Sequence, residues 1–136
     1  TERKAQYNAG VIVQAMRAEL PSELERHLAT ILSQHVGRTK AIGRLVLVRE
    51  LRNWPYSLSV TDRQVRLAIN NLRKEGVPIC STGGFGGGYW LAESRAELEA
   101  YLDNEVRARL ADLREQELAL KRAASKYFGD QYGLGI

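Results

Sequence analysis

Hydrophobic residues recur at helical spacing in several stretches of the chain, most clearly over residues 61–75. The apolar positions there form one stripe, which consists of Val65, Ala68, Ile69 and Leu72. Thr61 and Asp62 can cap the start, because their side-chain oxygens accept hydrogen bonds from the unpaired N–H groups of a first helical turn. Gly76 ends the pattern, and Pro78 prevents the helix from resuming. We therefore predict a helix over 61–75 with one buried face.

Two earlier stretches also predict helices. Residues 22–36 begin with Ser22 and Glu25 in capping-box spacing, in which each side chain reaches the backbone N–H of the other residue. The apolar residues of this stretch form a buried stripe: Leu24, Leu28, Ile31, Leu32 and Val36. Residues 8–20 repeat the helical pattern after Asn8, and we interpret them as a packing or dimerisation helix.

The stretch between the predicted helices 22–36 and 61–75 predicts a further helix and a long turn. We place the helix at 40–52, with Thr39 as its cap, and its apolar residues predict that it packs between both neighbours: Ile42, Leu45, Val46, Val48 and Leu51. Pro55 forces Trp54 into an extended conformation, so we predict a long turn over 53–60. For Trp54 in this turn, a role as core filler is favoured over contact with a ligand or a base.

The residues after Gly76 predict a two-stranded hairpin. Two short β-prone runs, 79–81 and 89–91, flank a glycine-rich segment with Phe85 at its exposed tip. These glycines match neither a dinucleotide-binding fingerprint nor a phosphate-binding P-loop, because the required spacing and the Gly-Lys-Ser/Thr sequence are missing. The predicted fold class is therefore mainly α with a small β-hairpin.

The end of the chain predicts one long helix over 95–127. Ser94 and Glu97 repeat the capping-box spacing at its start. Its apolar stripe mixes steps of three and four residues: Leu98, Leu102, Val106, Leu110, Leu113, Leu120, Ala124 and Tyr127. The stripe is interrupted at Glu117, so it is less regular than a coiled coil. Pairing with a second copy is the favoured interpretation, and folding back on its own domain is the alternative.

Composition and charge narrow the class of protein. An apolar content of 44% and a charged content of 26% are ordinary for a globular chain. A single cysteine, with no signal-peptide pattern and no membrane span, predicts a cytoplasmic protein. Residues 38–75 contain nine Lys or Arg and three acidic residues, a balance of +6 within a net charge of +4. Such a concentration of positive charge attracts phosphate groups, although a merely solvated helix face is the alternative.

Other reactive residues do not form a recognisable catalytic or metal site. His27 and His35 are eight residues apart with no third ligand at metal spacing, so zinc binding is disfavoured. Cys80 has no acid–base partner nearby in the sequence, which disfavours a catalytic or sensing role. We therefore expect no catalytic residues, no metal and no cofactor, and the chain is not predicted to be an enzyme.

The central residues resemble those of a winged helix-turn-helix family. Leu72-Arg73-Lys74-Glu75-Gly76, followed by Gly88-Tyr89-Trp90-Leu91, is similar to the end of the recognition helix and the returning wing strand in the N-terminal domain of biotin operon repressors. The resemblance covers about residues 22–92 and is strongest over 61–91. The chain also resembles small phage and prophage winged-helix proteins that carry a helical tail. This resemblance implies binding to double-stranded DNA through the helix 61–75, and it does not imply biotin chemistry.

The resemblance and the residue types together predict the DNA-binding residues. Arg63 and Arg66 can grip guanine, Gln64 or Asn70 can pair with adenine, and Leu67 can meet a thymine methyl group. Arg73 and Lys74 are placed to contact phosphate, and Arg38 and Lys40 are further basic candidates within the basic region. Phe85, at the wing tip, completes the predicted set.

We divide the chain into four parts: an N-terminal extension over 1–21, a winged helix-turn-helix domain over 22–93, a dimerisation helix over 94–128 and a flexible tail over 129–136. The leading hypothesis is a sequence-specific DNA-binding protein, a dimeric transcriptional regulator of phage or prophage type. Phage DNA replication or packaging is one alternative. A protein-interaction scaffold that does not bind DNA is another.

Overall fold

The computed structural model describes residues 8–83 and 87–129. The expectations for Phe85, for the glycines beside it, for residues 1–7 and for the tail beyond 129 lie outside these residues. The chain divides into two compact units, Thr1–Leu98 and Glu99–Ile136.

The described residues of the first unit form four helices and a small sheet, and a fifth helix begins before this unit ends at Leu98. Its elements in chain order are α1 (Ala9–Met16), a 3-10 turn (Arg17–Glu19), α2 (Glu23–Leu32), a second 3-10 turn (Arg38–Lys40), β1 (Ile42–Gly43), α3 (Arg44–Arg52), α4 (Asp62–Lys74), β2 (Ile79–Ser81), β3 (Gly88–Leu91) and α5 (Arg95–Tyr101). Together with the long C-terminal helix described below, this arrangement confirms the predicted fold class, mainly helical with a small wing.

The sheet has three antiparallel strands in the order β1-β3-β2. Ile42 pairs with Tyr89 on one side of β3, and Ile79 pairs with Leu91 on the other. Because directly paired residues lie on the same face of a sheet, these four side chains form the face that joins the hydrophobic core. Cys80 pairs with Trp90 and therefore lies on the opposite face.

The core is formed by the predicted stripes of α2 and α4, together with residues of α1 and α3. Its largest fully buried side chains include Leu28, Leu32, Leu47, Leu51, Val65, Ile69 and Leu72. The α1 helix contributes Ala9 and Val13, so the interpretation of this segment as a packing helix is confirmed. A Cβ atom on Gly10 would lie 2.2 Å from the carbonyl oxygen of Ser33, so this glycine allows α1 to approach the end of α2 closely.

The predicted helix over 40–52 is wrong in its first third. The helix begins at Arg44, and Gly43 rather than Thr39 occupies its N-cap position. Ile42 and Gly43 instead form β1, since their backbone pairs with β3. Leu45 is 74% exposed and Val46 is also exposed, so this helix is not buried on both sides as its apolar content suggested.

The prediction that Trp54 fills the core is also wrong, because this side chain is 87% exposed. Tyr56 and Leu58 from the same turn pack against the core instead. The Tyr56 ring lies edge-on to the His27 ring at 4.9 Å between centroids. The long turn therefore does contribute an aromatic residue to the core, but a different one from that predicted.

The helix α4 has the predicted ends. The Thr61 hydroxyl accepts a hydrogen bond from the Gln64 N–H at 3.2 Å, and the Gln64 side-chain oxygen accepts one from the Thr61 N–H at 2.9 Å. This reciprocal pair is a capping box. At the other end Gly76 has a φ of +95°, and the Val77 N–H donates to the Leu72 carbonyl at 3.0 Å. This is the hydrogen bond of a glycine-terminated helix.

The two other predicted capping boxes are only half formed. The Ser22 and Ser94 hydroxyls accept from the Glu25 and Glu97 N–H groups, both at 3.1 Å. The Glu25 carboxylate does not return to its cap, because it is buried and accepts from the Asn71 amide at 3.4 Å. The Glu97 carboxylate accepts from the Trp90 indole N–H at 2.9 Å.

In the second unit, a π-helical segment, Leu102–Val106, precedes the long helix α6 (Arg107–Phe128). Residues 95–127 are helical as predicted, but this π-helical segment interrupts the α-helix. The sequence contains a hint of it, since Leu98, Leu102, Val106 and Leu110 are each four residues apart. On an α-helix each such step drifts by about 40°, whereas the wider π turn keeps residues four apart closer to one face.

Candidate nucleic-acid interface

The helix α4 separates its residues into a buried face and an exposed face. Val65, Ile69 and Leu72 are fully buried. Six of the seven predicted DNA-binding residues of this helix are exposed: Arg63, Gln64, Arg66, Leu67, Asn70 and Lys74. Leu67 is an apolar member of this set and is 53% exposed. The structure therefore brings these predicted residues together on one helix, on the side away from the core.

The two amide residues of this face differ in what they offer to a ligand. The Gln64 side-chain oxygen already accepts hydrogen bonds from the backbone N–H and the hydroxyl of Thr61, at 2.9 and 3.3 Å. A bidentate contact with adenine requires both the oxygen and the NH₂ group of an amide. Asn70, which is exposed two turns further along the helix, is therefore better suited than Gln64 to the predicted adenine contact.

Arg73 has a position different from the one expected for a phosphate contact. This side chain is partly buried, and its Nε donates to the Ile79 carbonyl at 2.9 Å. Its Nη2 donates to the Ser81 hydroxyl at 3.0 Å. The guanidinium group thus joins the last turn of α4 to the first strand of the hairpin, and it holds the hairpin against the helix.

A cluster of opposite charges lies at the start of α4. The Asp62 carboxylate forms ion pairs with the Nε atoms of Arg44 at 3.2 Å and Arg66 at 3.0 Å. The backbone N–H of Arg44 donates to the Gly87 carbonyl at 3.4 Å, next to the start of β3. Arg44 therefore connects the loop end of the hairpin with the first turn of α4.

Tyr89 lies near these three charged residues and also near Arg73. Burial raises the pKa of its phenol above 10.0, and four nearby charges modulate this effect, from Arg73, Asp62, Arg44 and Arg66. With three cations and one anion, this arginine cluster (Arg44, Asp62, Arg66 and Arg73) has a formal charge of +2. Arg44 was missing from the candidate residues, although it lies within the basic region 38–75.

Arg38 and Lys40 lie on the second 3-10 turn rather than on α4. The Arg38 guanidinium lies over the Trp90 ring, 5.8 Å from its centroid. Since Trp90 lies on the sheet face opposite the core, Arg38 is separated from α4 by the sheet. Lys40 is exposed on the same 3-10 turn, and its carbonyl accepts a hydrogen bond from Nδ1 of His35 at 2.8 Å.

The remaining reactive residues have structural surroundings. Within residues 8–83 and 87–129, no three His, Cys, Asp or Glu side chains are grouped as they would be around a metal ion. Cys80 is fully buried, and burial is the main cause that raises the pKa of its thiol to about 11. Its thiol is therefore protonated at neutral pH, and a protonated thiol is a poor nucleophile.

Comparisons with protein-family models, with curated proteins and with solved structures gave no match. In the described part of the chain, no helix has the length and apolar character that a membrane span requires.

Proposed function

We propose that this chain is a sequence-specific double-stranded DNA-binding protein of the winged helix-turn-helix type. The observation that carries the proposal is the exposed face of α4, which presents arginine, amide and leucine side chains from a helix whose other face is buried. These are the side chains that recognise guanine, adenine and thymine edges in the major groove. A groove about 12 Å wide accepts one such helix.

The arginine cluster supports the same proposal. Two of its arginines, Arg44 and Arg66, lie near the N-terminal end of α4, from which recognition helices contact bases. Positive charge there attracts the DNA backbone in a salt-dependent manner. Arg73 contributes indirectly, since it fixes the hairpin beside the helix. Lys74, exposed in the last turn of α4, is assigned to a phosphate contact.

We also propose that the protein acts as a homodimer through α6. This helix exposes four large apolar side chains of the predicted stripe, each more than half exposed: Leu110, Leu113, Leu120 and Tyr127. A dimer with two-fold symmetry binds two half-sites, so the preferred DNA site is an inverted repeat. The cellular role that we assign is transcriptional control of phage or prophage type in the cytoplasm. DNA replication or packaging requires the same surface and is the second candidate.

The experiment is a salt series of binding to a randomised duplex pool, followed by sequencing of the retained duplexes. We expect wild type to enrich an inverted repeat and to lose affinity steeply with salt, because phosphate contacts release counterions. The double variant Arg63→Glu/Arg66→Glu should lose both the enrichment and most of the affinity.

A matched control has the same change in net charge at positions outside α4 and outside the apolar stripe of α6. Arg17→Glu/Arg122→Glu reverses two exposed arginines, one after α1 and one on α6. This control should retain the enriched sequence. Retention of duplexes without enrichment would favour a packaging role, and no retention even at low salt would reject DNA binding and favour an interaction scaffold.

A further inference from the structure

Asp62 is the acidic residue of the arginine cluster, and its position is unexpected for a surface that binds DNA. It is the first residue of α4, and its carboxylate is only about one-third exposed. An acidic group at this point repels phosphate, so its presence reduces general affinity for DNA. Its ion pairs with Arg44 and Arg66 suggest what Asp62 contributes to the site.

We propose that Asp62 is a specificity-determining positioning residue that holds Arg66 for recognition of guanine. This inference rests on the proposed function and adds the base that the site reads. The Asp62 Oδ2 atom lies 3.0 Å from Nε of Arg66, one helical turn further along the same face. An ion pair at this distance keeps the Arg66 guanidinium beside the carboxylate on its Nε side, so its two terminal NH₂ groups remain for a base.

Those two groups match the guanine edge in the major groove. Guanine presents two acceptors there, O6 and N7, and an arginine with a fixed fork binds both. A guanidinium that rotates freely can instead bind any phosphate oxygen. The carboxylate of Asp62 disfavours phosphate binding, because its negative charge repels a phosphate that approaches the Arg66 guanidinium.

Arg44 completes the arrangement from the other side of the carboxylate. Its Nε lies 3.2 Å from Oδ1 of Asp62, and its backbone N–H donates to the carbonyl of Gly87, just before β3. Arg44 therefore balances the negative charge of Asp62 while Arg66 is oriented. In a purely structural role these exposed ion pairs would contribute little to stability and nothing to the choice of base.

The test compares duplexes that differ at one atom of one base. The wild-type protein first selects its preferred site from the randomised pool, and each enriched guanine is then replaced by 7-deazaguanine, which lacks the N7 acceptor. We expect one such replacement per half-site to weaken wild-type binding, with a loss on the order of tenfold. For Asp62→Asn the loss at that guanine should shrink to less than about threefold.

Asp62→Asn should also bind a scrambled duplex more tightly than wild type does, since a repulsive charge is removed. Glu75→Gln is the matched control, because it removes one negative charge at the exposed end of the same helix. It should strengthen binding to all duplexes by one common factor and retain the full 7-deazaguanine loss. Asp62→Ser removes the carboxylate with a second residue type, in case Asp62→Asn does not fold.

The outcomes separate this inference from the proposed function. If wild type retains no duplex at low salt, the proposed function fails. If wild type selects a site in which no 7-deazaguanine replacement matters, DNA binding stands and guanine recognition by Arg66 is overturned. The role of Asp62 is overturned if its variants change the affinity for all duplexes equally and retain the 7-deazaguanine loss.

Discussion

At the scale of single residues, Gly10 determines how closely two helices approach. A glycine within a helix normally costs about 0.5–1 kcal/mol relative to alanine, and by this rule Gly10 weakens the predicted N-terminal helix. The structure gives the compensating reason, since a Cβ atom would lie 2.2 Å from the carbonyl oxygen of Ser33. Backbone atoms cannot move away as the end of a flexible side chain can, so the absence of a side chain is required here.

We expect Gly10→Ala to lower the free energy of unfolding by about 1–3 kcal/mol, the usual cost of overpacking a core. Urea denaturation followed by circular dichroism measures this change. Gly83→Ala is the matched control, because no atom lies within 4 Å of its added Cβ position, and it should change stability by less than about 0.5 kcal/mol. Equal effects of the two substitutions would contradict the close approach of α1 to α2.

The two tryptophans show why residue identity alone does not predict burial. Trp90 is buried, and its indole N–H has the Glu97 carboxylate as its partner. Trp54, with the same large apolar surface, is exposed, since Tyr56 and Leu58 occupy the adjacent part of the core. The turn offers three apolar side chains in five residues, and the backbone path decides which of them point inward.

At the scale of elements, the sequence predicts best the helices whose signals are local. The stripe, cap and glycine stop of α4 all lie within residues 61–78, and each has its predicted role. The strand β1 has no such local signal, because it exists through pairing with β3, more than forty residues away in the chain. The same limit applies to the site, in which Arg73 and Arg38 are positioned by Ser81 and Trp90 rather than by their neighbours in the sequence.

The helix α6 allows an element-scale prediction about self-association. Leu113→Asp places a charge in the exposed apolar stripe, and we expect it to shift the protein from dimer to monomer, because burial of an unpaired carboxylate opposes pairing. Sedimentation equilibrium measures the molecular mass. Leu118→Asp is the control, since Leu118 is exposed on the same helix but is not part of the stripe, and this variant should remain dimeric. A monomeric wild-type protein, or equal dissociation of both variants, would contradict pairing through this stripe.

At the scale of the whole molecule, the two faces of the sheet are closed by different kinds of residue. Ile42, Ile79 and Leu91 face the hydrophobic core, whereas Trp90 on the other face is contacted by Arg38 and Glu97. Cys80 lies on that second face beside Trp90 and is fully buried. The first unit therefore buries an ionisable thiol, and this couples its stability to pH.

The direction of this coupling follows from the pKa of the thiol. Burial is the main cause that raises the pKa of Cys80 from 9.0 to about 11, so the folded state binds this proton more tightly than the unfolded state does. The associated stability is fully present below pH 9 and is lost as the pH rises through about 11. The buried phenol of Tyr89, whose pKa is also raised, adds to the loss in the same direction.

We expect the free energy of unfolding to fall between pH 8 and pH 11, and to fall less steeply in Cys80→Ala than in wild type. The alanine variant loses packing at every pH but has no thiol to ionise, so the difference in stability between the two proteins should narrow as the pH rises. Urea titrations of both proteins at several pH values in this range measure that difference. A constant difference would show that the Cys80 thiol ionises as readily in the folded state as in the unfolded chain. The buried position of Cys80 on β2, near the Glu97 carboxylate, predicts the opposite.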